Sequence, residues 1–141
     1  MEKFAHAHWT GDLKNGVGSI STQSGVLQDT AYGFNKRFGD EPGTNPEELI
    51  AAAHASCFTM AFSNLLGIEG FTAEAIDTEC RITLEKIGDG FAITHSHLHM
   101  KAKIPHITLD KFNEVAITAK AGCPVSKALN LQIDLLAELI G

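Results

Sequence analysis

The feature that most constrains this chain is Leu49–Ile68, twenty consecutive residues without a formal charge. The stretch before it, GTNPEE, is a strong helix start. Thr44 or Asn45 can cap, Pro46 suits the first turn, and Glu47 or Glu48 completes a capping-box pattern. The expected element is one long helix running to about Leu66, with Gly67 placed to end it. Its length suits a bilayer. However, His54, Ser56, Thr59, Ser63 and Asn64 interrupt the apolar run, five of its residues are alanine, and no flanking Lys/Arg asymmetry favours insertion. A core helix is the better reading. Twenty helical residues span about 30 Å, whereas a chain of this size has a radius of gyration of roughly 14 Å. One small sheet cannot cover every side of such a rod, and Ala51, Ala52, Ala53 and Ala55 permit close approach of another backbone. These proportions predict a homodimer that shares the core.

Strands surround the helix. Lys3–Thr10 alternates, GDLKNGVG supplies hairpin chemistry into Val17–Thr22, and AYGF is a further strand candidate. KRFGDEPGTNPEE reads as a polar loop. Beyond the helix, Ile76, Thr78, Cys80, Ile82 and Leu84 alternate as one face of a half-buried strand, and IGDG turns into a second strand, Phe91–Ile104. Thr108–Ala121 is an amphipathic helix with Leu109, Phe112, Ala116 and Ala119 on one face. Cys123-Pro124 opens a short helical turn through Asn130, and Leu131–Leu135 is a final strand. The order predicts an α+β fold with two long core helices packed with antiparallel sheets, in one domain over residues 1–141.

With 44% hydrophobic and 20% charged residues, the composition is that of a globular protein. A net charge of −6 and scattered Lys and Arg argue against nucleic acid or an anionic membrane as partner. The N-terminus MEKFAHAHWTGD lacks a signal-peptide pattern, so the cytoplasm is the expected address. Three cysteines without a CxxC fit neither a secreted disulfide framework nor a zinc ribbon.

Two of those cysteines are candidates for chemistry. Cys123 lies at a helix start, where backbone donors favour a thiolate. Cys57 sits mid-helix in an uncharged run, so for it to react a cation must come from elsewhere. Arg37, in GFNKRFGD, is the best-placed cation in sequence, since it stays charged and does not compete for the proton. Glu47 could grip its guanidinium bidentately. Spacing alone equally allows two unrelated buried thiols, a solvated Arg37 and a purely capping Glu47. His54 shares a helix face with Cys57 and reads more readily as a hydrogen-bonded core histidine than as an activating base. Cys80 reads as a buried structural thiol. His95, His97 and His99 at period two raise a metal-binding module as a rival function, but Lys101 and Lys103 continue that face and make a solvated surface the better reading. A redox sensor without turnover is a third possibility.

The residues themselves bring a family into view. GTNPEELIAAAHASCFTMAFSNLLGIEGF resembles the signature region of the OsmC/Ohr family of organic hydroperoxide reductases, and AKAGCPVSKAL its second cysteine motif. SGVLQDTAYGFNKRFGDEPGTNPEELI resembles the OsmC branch, and the likeness runs from about Gly16 to Leu135. The resemblance implies a thiol-dependent peroxidase that reduces organic hydroperoxides to alcohols. Cys57 matches the peroxidatic cysteine, Cys123 the resolving cysteine that closes an intramolecular disulfide, and Arg37 and Glu47 the activating pair. It also implies an intertwined homodimer with active sites at the subunit interface, no metal or haem, and a dithiol or lipoylated protein as reductant. Phe34, Phe38, Phe58, Met60 and Phe62 are the expected apolar neighbours that favour organic hydroperoxides over hydrogen peroxide.

Overall fold

The computed structural model describes residues Met1–Gly141. Its backbone forms two compact units, Met1–Leu49 and Ile50–Gly141, described in turn.

The first unit holds a three-stranded antiparallel sheet of β1 (Ala5–Thr10), β2 (Val17–Thr22) and β3 (Thr30–Tyr32), in that order. Trp9 and Tyr32 approach to 5.5 Å between ring centroids across β2. They meet over Gly18, where an added Cβ would lie 2.5 Å from the Tyr32 ring and 2.6 Å from Trp9. Only a glycine fits beneath both rings. The expected strand ends at Tyr32, and part of the expected loop is helical. Phe34–Phe38 forms the short helix α1, whose ends stack Phe34 on Phe38 at 5.0 Å. The chain returns to the sheet through a Tyr32–Thr44 bridge and enters the long helix α2 (Pro46–Ile68).

Asn45 is the cap, its Oδ1 accepting the Glu48 N–H at 2.8 Å, while the Thr44 hydroxyl donates to the Glu48 carboxylate at 2.8 Å. The helix passes through Gly67 and ends instead at Gly70. That residue has a φ of +86°, and the Phe71 N–H reaches back to Leu66 O at 2.8 Å while Gly70 N–H bonds Gly67 O. This is a Schellman closure, which needs the left-handed residue at position 70. By length and hydropathy α2 is able to cross a membrane.

In the second unit α2 buries His54, Phe58, Phe62 and Leu66, one side of the helix at four-residue spacing. This face packs with Leu98, Met100 and Ala102 of β5 (Gly90–Lys103) and Phe112, Val115, Ala116 and Ala119 of α3 (Leu109–Gly122). Phe62 stacks beside Phe58 at 6.3 Å and meets Phe112 edge-on at 5.8 Å. β4 (Ala75–Ile87) and β5 form a long antiparallel hairpin with a bulge at Thr83/Leu84. The chain then runs through α3 and α4 (Pro124–Ala128) before β6 (Gln132–Leu139) joins β5 in parallel. The second sheet is therefore mixed, against the expectation of antiparallel pairing. A crossover built on helices returns the chain to the same end of the sheet, which a tight turn cannot do. The architecture is α+β, as expected. One side chain departs from the pattern: Leu109, expected on the buried face of α3, is 60% exposed, and Val115 takes its place in the core.

Candidate active site

Each of the two units brings together one pair of the four candidate residues. In the first, Arg37 lies in the last turn of α1, with its guanidinium 5.3 Å from the centroid of the Phe38 ring. Arg37 Nε donates to both Glu47 oxygens at 3.0 and 3.1 Å, and Nη2 donates to Oε1. Asn45 and Glu48 already serve the helix start, so Glu47 is left to hold the arginine and does not act as the cap. A small cavity of about 80 Å³ opens beside the pair, walled by Trp9, Tyr32, Phe34, Phe38 and Pro46. Two of the five expected apolar neighbours thus border Arg37. Phe58 and Phe62 do not: both are fully buried in the core of the second unit, because they lie on the inward side of α2. Met60 is 73% exposed.

In the second unit Cys57 and Cys123 hydrogen-bond to each other, and the Val125 N–H serves both sulfurs. Cys123 is fully buried and caps α4, its Sγ accepting the Ser126 N–H at 3.4 Å. Burial pushes its thiol up. The Ser126 N–H and hydroxyl, the Cys57 thiol and the Val125 N–H together outweigh burial, so Cys123 is more acidic than an ordinary cysteine. Cys57 moves the other way. Burial raises it, the Val125 N–H only partly offsets this, and the hydrogen bond and charge of Cys123 raise it further. Of the two, Cys123 holds the negative charge in this unit. This agrees with the sequence reading, in which backbone donors favour Cys123 and Cys57 lacks a cation of its own.

His54 is a core histidine, as expected, and its environment is more specific than sequence disclosed. Nδ1 meets Ser96 Oγ at 2.5 Å and Nε2 meets Ser126 Oγ at 2.8 Å. The two serines were not singled out by sequence reasoning. Ser96 carried a signal, since it shares the inward face of β5 with Leu98 and Met100, where a lone hydroxyl needs a partner. Cys80 is half-buried and contacts Ser96 Oγ at 3.2 Å. The histidine face of β5 carries acidic partners: His95 lies 3.5 Å from Glu85, His97 3.7 Å from Asp134 and His99 2.6 Å from Glu138. No three His, Cys, Asp or Glu side chains are grouped so as to hold a metal ion.

Residues 39–136 match the family described as OsmC-like protein. The chain is 51% identical over 139 residues to Peroxiredoxin OsmC of Escherichia coli K12, covering 99% of this chain and 97% of that protein. It is 27% identical over 124 residues to the organic hydroperoxide resistance protein OhrB of Bacillus subtilis, covering 87% and 89%. Among solved structures, an OsmC-like protein of unknown function from Vibrio cholerae aligns over 99% of each chain with a TM-score of 0.77. At 16% identity, that likeness speaks for the fold alone. The crystal structure of B. subtilis OhrB aligns over 97% of this chain and 98% of its own with a TM-score of 0.68 and 25% identity.

Proposed function

The chain belongs to the OsmC-like family, and from that premise we propose that Cys57 is the peroxidatic cysteine, Cys123 the resolving cysteine, and Arg37 with Glu47 the pair that activates Cys57. The protein is a cysteine-based peroxidase of organic hydroperoxides. The observation that carries the site assignment is the direct contact between the Cys57 and Cys123 thiols. It puts a second thiol beside the first before any oxidation has taken place.

The Cys57 thiolate attacks one peroxide oxygen, the O–O bond breaks, and the alkoxide leaves and takes a proton to become the alcohol. Arg37 stabilises first the thiolate and then the departing oxygen, an electrostatic role. Cys57 is left as a sulfenic acid. Cys123 attacks it to form the disulfide and release water, before further oxidation can occur. A dithiol or a lipoylated protein then restores both thiols. The Trp9, Tyr32, Phe34 and Phe38 walls beside Arg37 favour substrates with an apolar tail, because each buried methylene contributes about 0.8 kcal/mol. The whole chain, residues 1–141, acts as one OsmC-like domain.

A homodimer completes the site in this reading. Ala53, Ser56, Met60, Ser63 and Gly67 form an exposed, uncharged stripe along α2 at alternating three- and four-residue spacing. Such a stripe of mainly small residues suits the close packing of two α2 helices against each other. The protein works at an address where thiols stay reduced, the cytoplasm.

Steady-state reduction of t-butyl hydroperoxide with a dithiol donor tests the roles. Cys57→Ser is expected to be inactive. Cys123→Ser is expected to complete a first oxidation and leave a sulfenic acid that dimedone traps. Turnover by Cys57→Ser would reverse the assignment. Equal kcat/KM for cumene hydroperoxide and hydrogen peroxide would remove the apolar-tail preference.

A further inference from the structure

The Ser126 hydroxyl bonds two groups at once, the Cys123 sulfur and the His54 ring. His54 is fully buried, and both of its nitrogens are engaged by serine hydroxyls. Burial lowers its pKa, so the ring is neutral near pH 7. A neutral imidazole offers one N–H and one lone pair. The hydrogen bonds around it therefore run in one of two senses. In the first, Ser126 donates its O–H to Nε2, and its oxygen can only accept from a Cys123 S–H. In the second, the Nε2–H donates to Ser126 Oγ, and the Ser126 O–H is free to donate to the Cys123 sulfur. Nδ1 then accepts from Ser96, whose oxygen accepts from the Cys80 thiol 3.2 Å away. Only the second sense supports a thiolate at Cys123.

We propose that His54 and Ser126 are a positioning pair for the resolving step, in which the Nε2–H of His54 holds the Ser126 hydroxyl on the Cys123 sulfur and keeps that sulfur ready to attack. The proposal rests on the assignment of Cys57 and Cys123 made above. In the attack, an electron pair of the Cys123 thiolate forms the S–S bond while the S–O bond of the Cys57 sulfenic acid breaks. Cys123 is oxidised, the sulfenic sulfur is reduced, and the hydroxide released takes a proton from solvent to become water. His54 stays neutral and supplies orientation, not a proton. The groups acting on Cys123 are Ser126, Val125 and Cys57, with no lysine, arginine or carboxylate among them. Among titratable side chains, Cys57 acts directly, His54 through Ser126, and Cys80 stands beyond Ser96.

Two readouts test the pair, and a merely structural role moves neither. The first is the pH profile of iodoacetamide alkylation at Cys123 in a Cys57→Ser background, followed by the mass of the peptide carrying it. Ser126→Ala is expected to raise the midpoint by about one pH unit, about a tenfold loss of thiolate below it. His54→Phe leaves the hydroxyl in place but unheld, and a loss of about threefold in the same direction is expected. Ser126→Thr and His54→Gln, which keep the hydroxyl and an N–H respectively, are expected to restore most of it. The second readout is the lifetime of the Cys57 sulfenic acid after one equivalent of t-butyl hydroperoxide, read by dimedone capture in chains that retain Cys57. It should lengthen by the same factors. If Ser126→Ala keeps both the wild-type midpoint and the wild-type closure rate, the pair has no positioning role. That result alone decides the matter should His54→Phe fail to fold. A wild-type chain that forms no sulfenic acid at Cys57 overturns the peroxidase roles instead, and the alkylation profile still reports on His54 and Ser126.

Discussion

Removing the Glu47 carboxylate tests how much of the activity depends on aiming Arg37. Three donor–acceptor contacts join the pair, two from Nε at 3.0 and 3.1 Å and one from Nη2. Hydrogen bonds to a charged group contribute about 1.5–3 kcal/mol each when shielded. The Arg37 side chain is 36% exposed and Glu47 12%, so solvent screening reduces the whole pair to about 2 kcal/mol. If that energy fixes the guanidinium where the thiolate and the leaving oxygen need it, Glu47→Ala lowers kcat/KM for t-butyl hydroperoxide by about thirtyfold. Glu47→Gln, which keeps one acceptor oxygen, falls between the two. The control is Glu48→Ala. Glu48 takes the Asn45 and Thr44 contacts at the start of α2 but has no bond to Arg37, so its loss weakens the helix start and leaves kcat/KM within about twofold. Glu47→Ala with activity within twofold of wild type refutes the aiming role. Equal losses in Glu47→Ala and Glu48→Ala refute it as well, because the cause is then the helix start.

Two further outcomes follow from the second unit. Ser63→Arg puts a charge in the middle of the uncharged stripe on α2, and light scattering should show the dimer converting to monomer with loss of turnover. A variant that stays dimeric and active places the interface elsewhere. Stability should also fall with acid through His54. Its folded pKa lies below the unfolded value of about 6.5, so the unfolded chain binds more protons below that pH and stability is lost as pH drops from about 6.5 toward the folded value. The melting temperature between pH 7 and pH 5 measures this, and His54→Gln should flatten the fall; an equal slope in both proteins removes His54 as its source.

The elements with a strong period or a local cap were legible in the sequence. Asn45, Pro46 and Glu48 fixed where α2 starts, and the Ile76–Leu84 alternation fixed β4. The end of α2 was misplaced because Gly67 and Gly70 are both plausible stops, and only the return bond from Phe71 N–H to Leu66 O selects the second. The parallel entry of β6 was invisible, since strand direction depends on where a crossover lands and leaves no mark on the strand itself. At the site, each cysteine could be judged by its local donors, and that judgement agrees with the structure. The link from His54 to Ser96 and Ser126 joins residues 42 and 72 positions apart. No local pattern reports a contact of that range, although a serine on the inward face of β5 hinted that a partner was needed.

The division of charge between the two thiols is what makes the arginine necessary. Within the second unit, everything acting on Cys57 is uncharged or negative: burial, one backbone N–H and the Cys123 sulfur. A peroxide meeting that arrangement finds the charge on the buried sulfur and a protonated thiol on the partly exposed one. For Cys57 to attack first, a cation has to move the charge from Cys123 to Cys57, and the Arg37–Glu47 pair is the proposed source. The ordering then reverses itself after oxidation. A sulfenic acid at Cys57 no longer needs the charge, and the Ser126 and Val125 donors return it to Cys123, the sulfur that must attack next. The same two sulfurs can thus act in sequence without a separate base, provided that the donors around Cys123 are weaker than Arg37 before oxidation and unopposed after it. Raising the Cys123 pKa by Ser126→Ala therefore slows only the second step, whereas Arg37→Met slows the first.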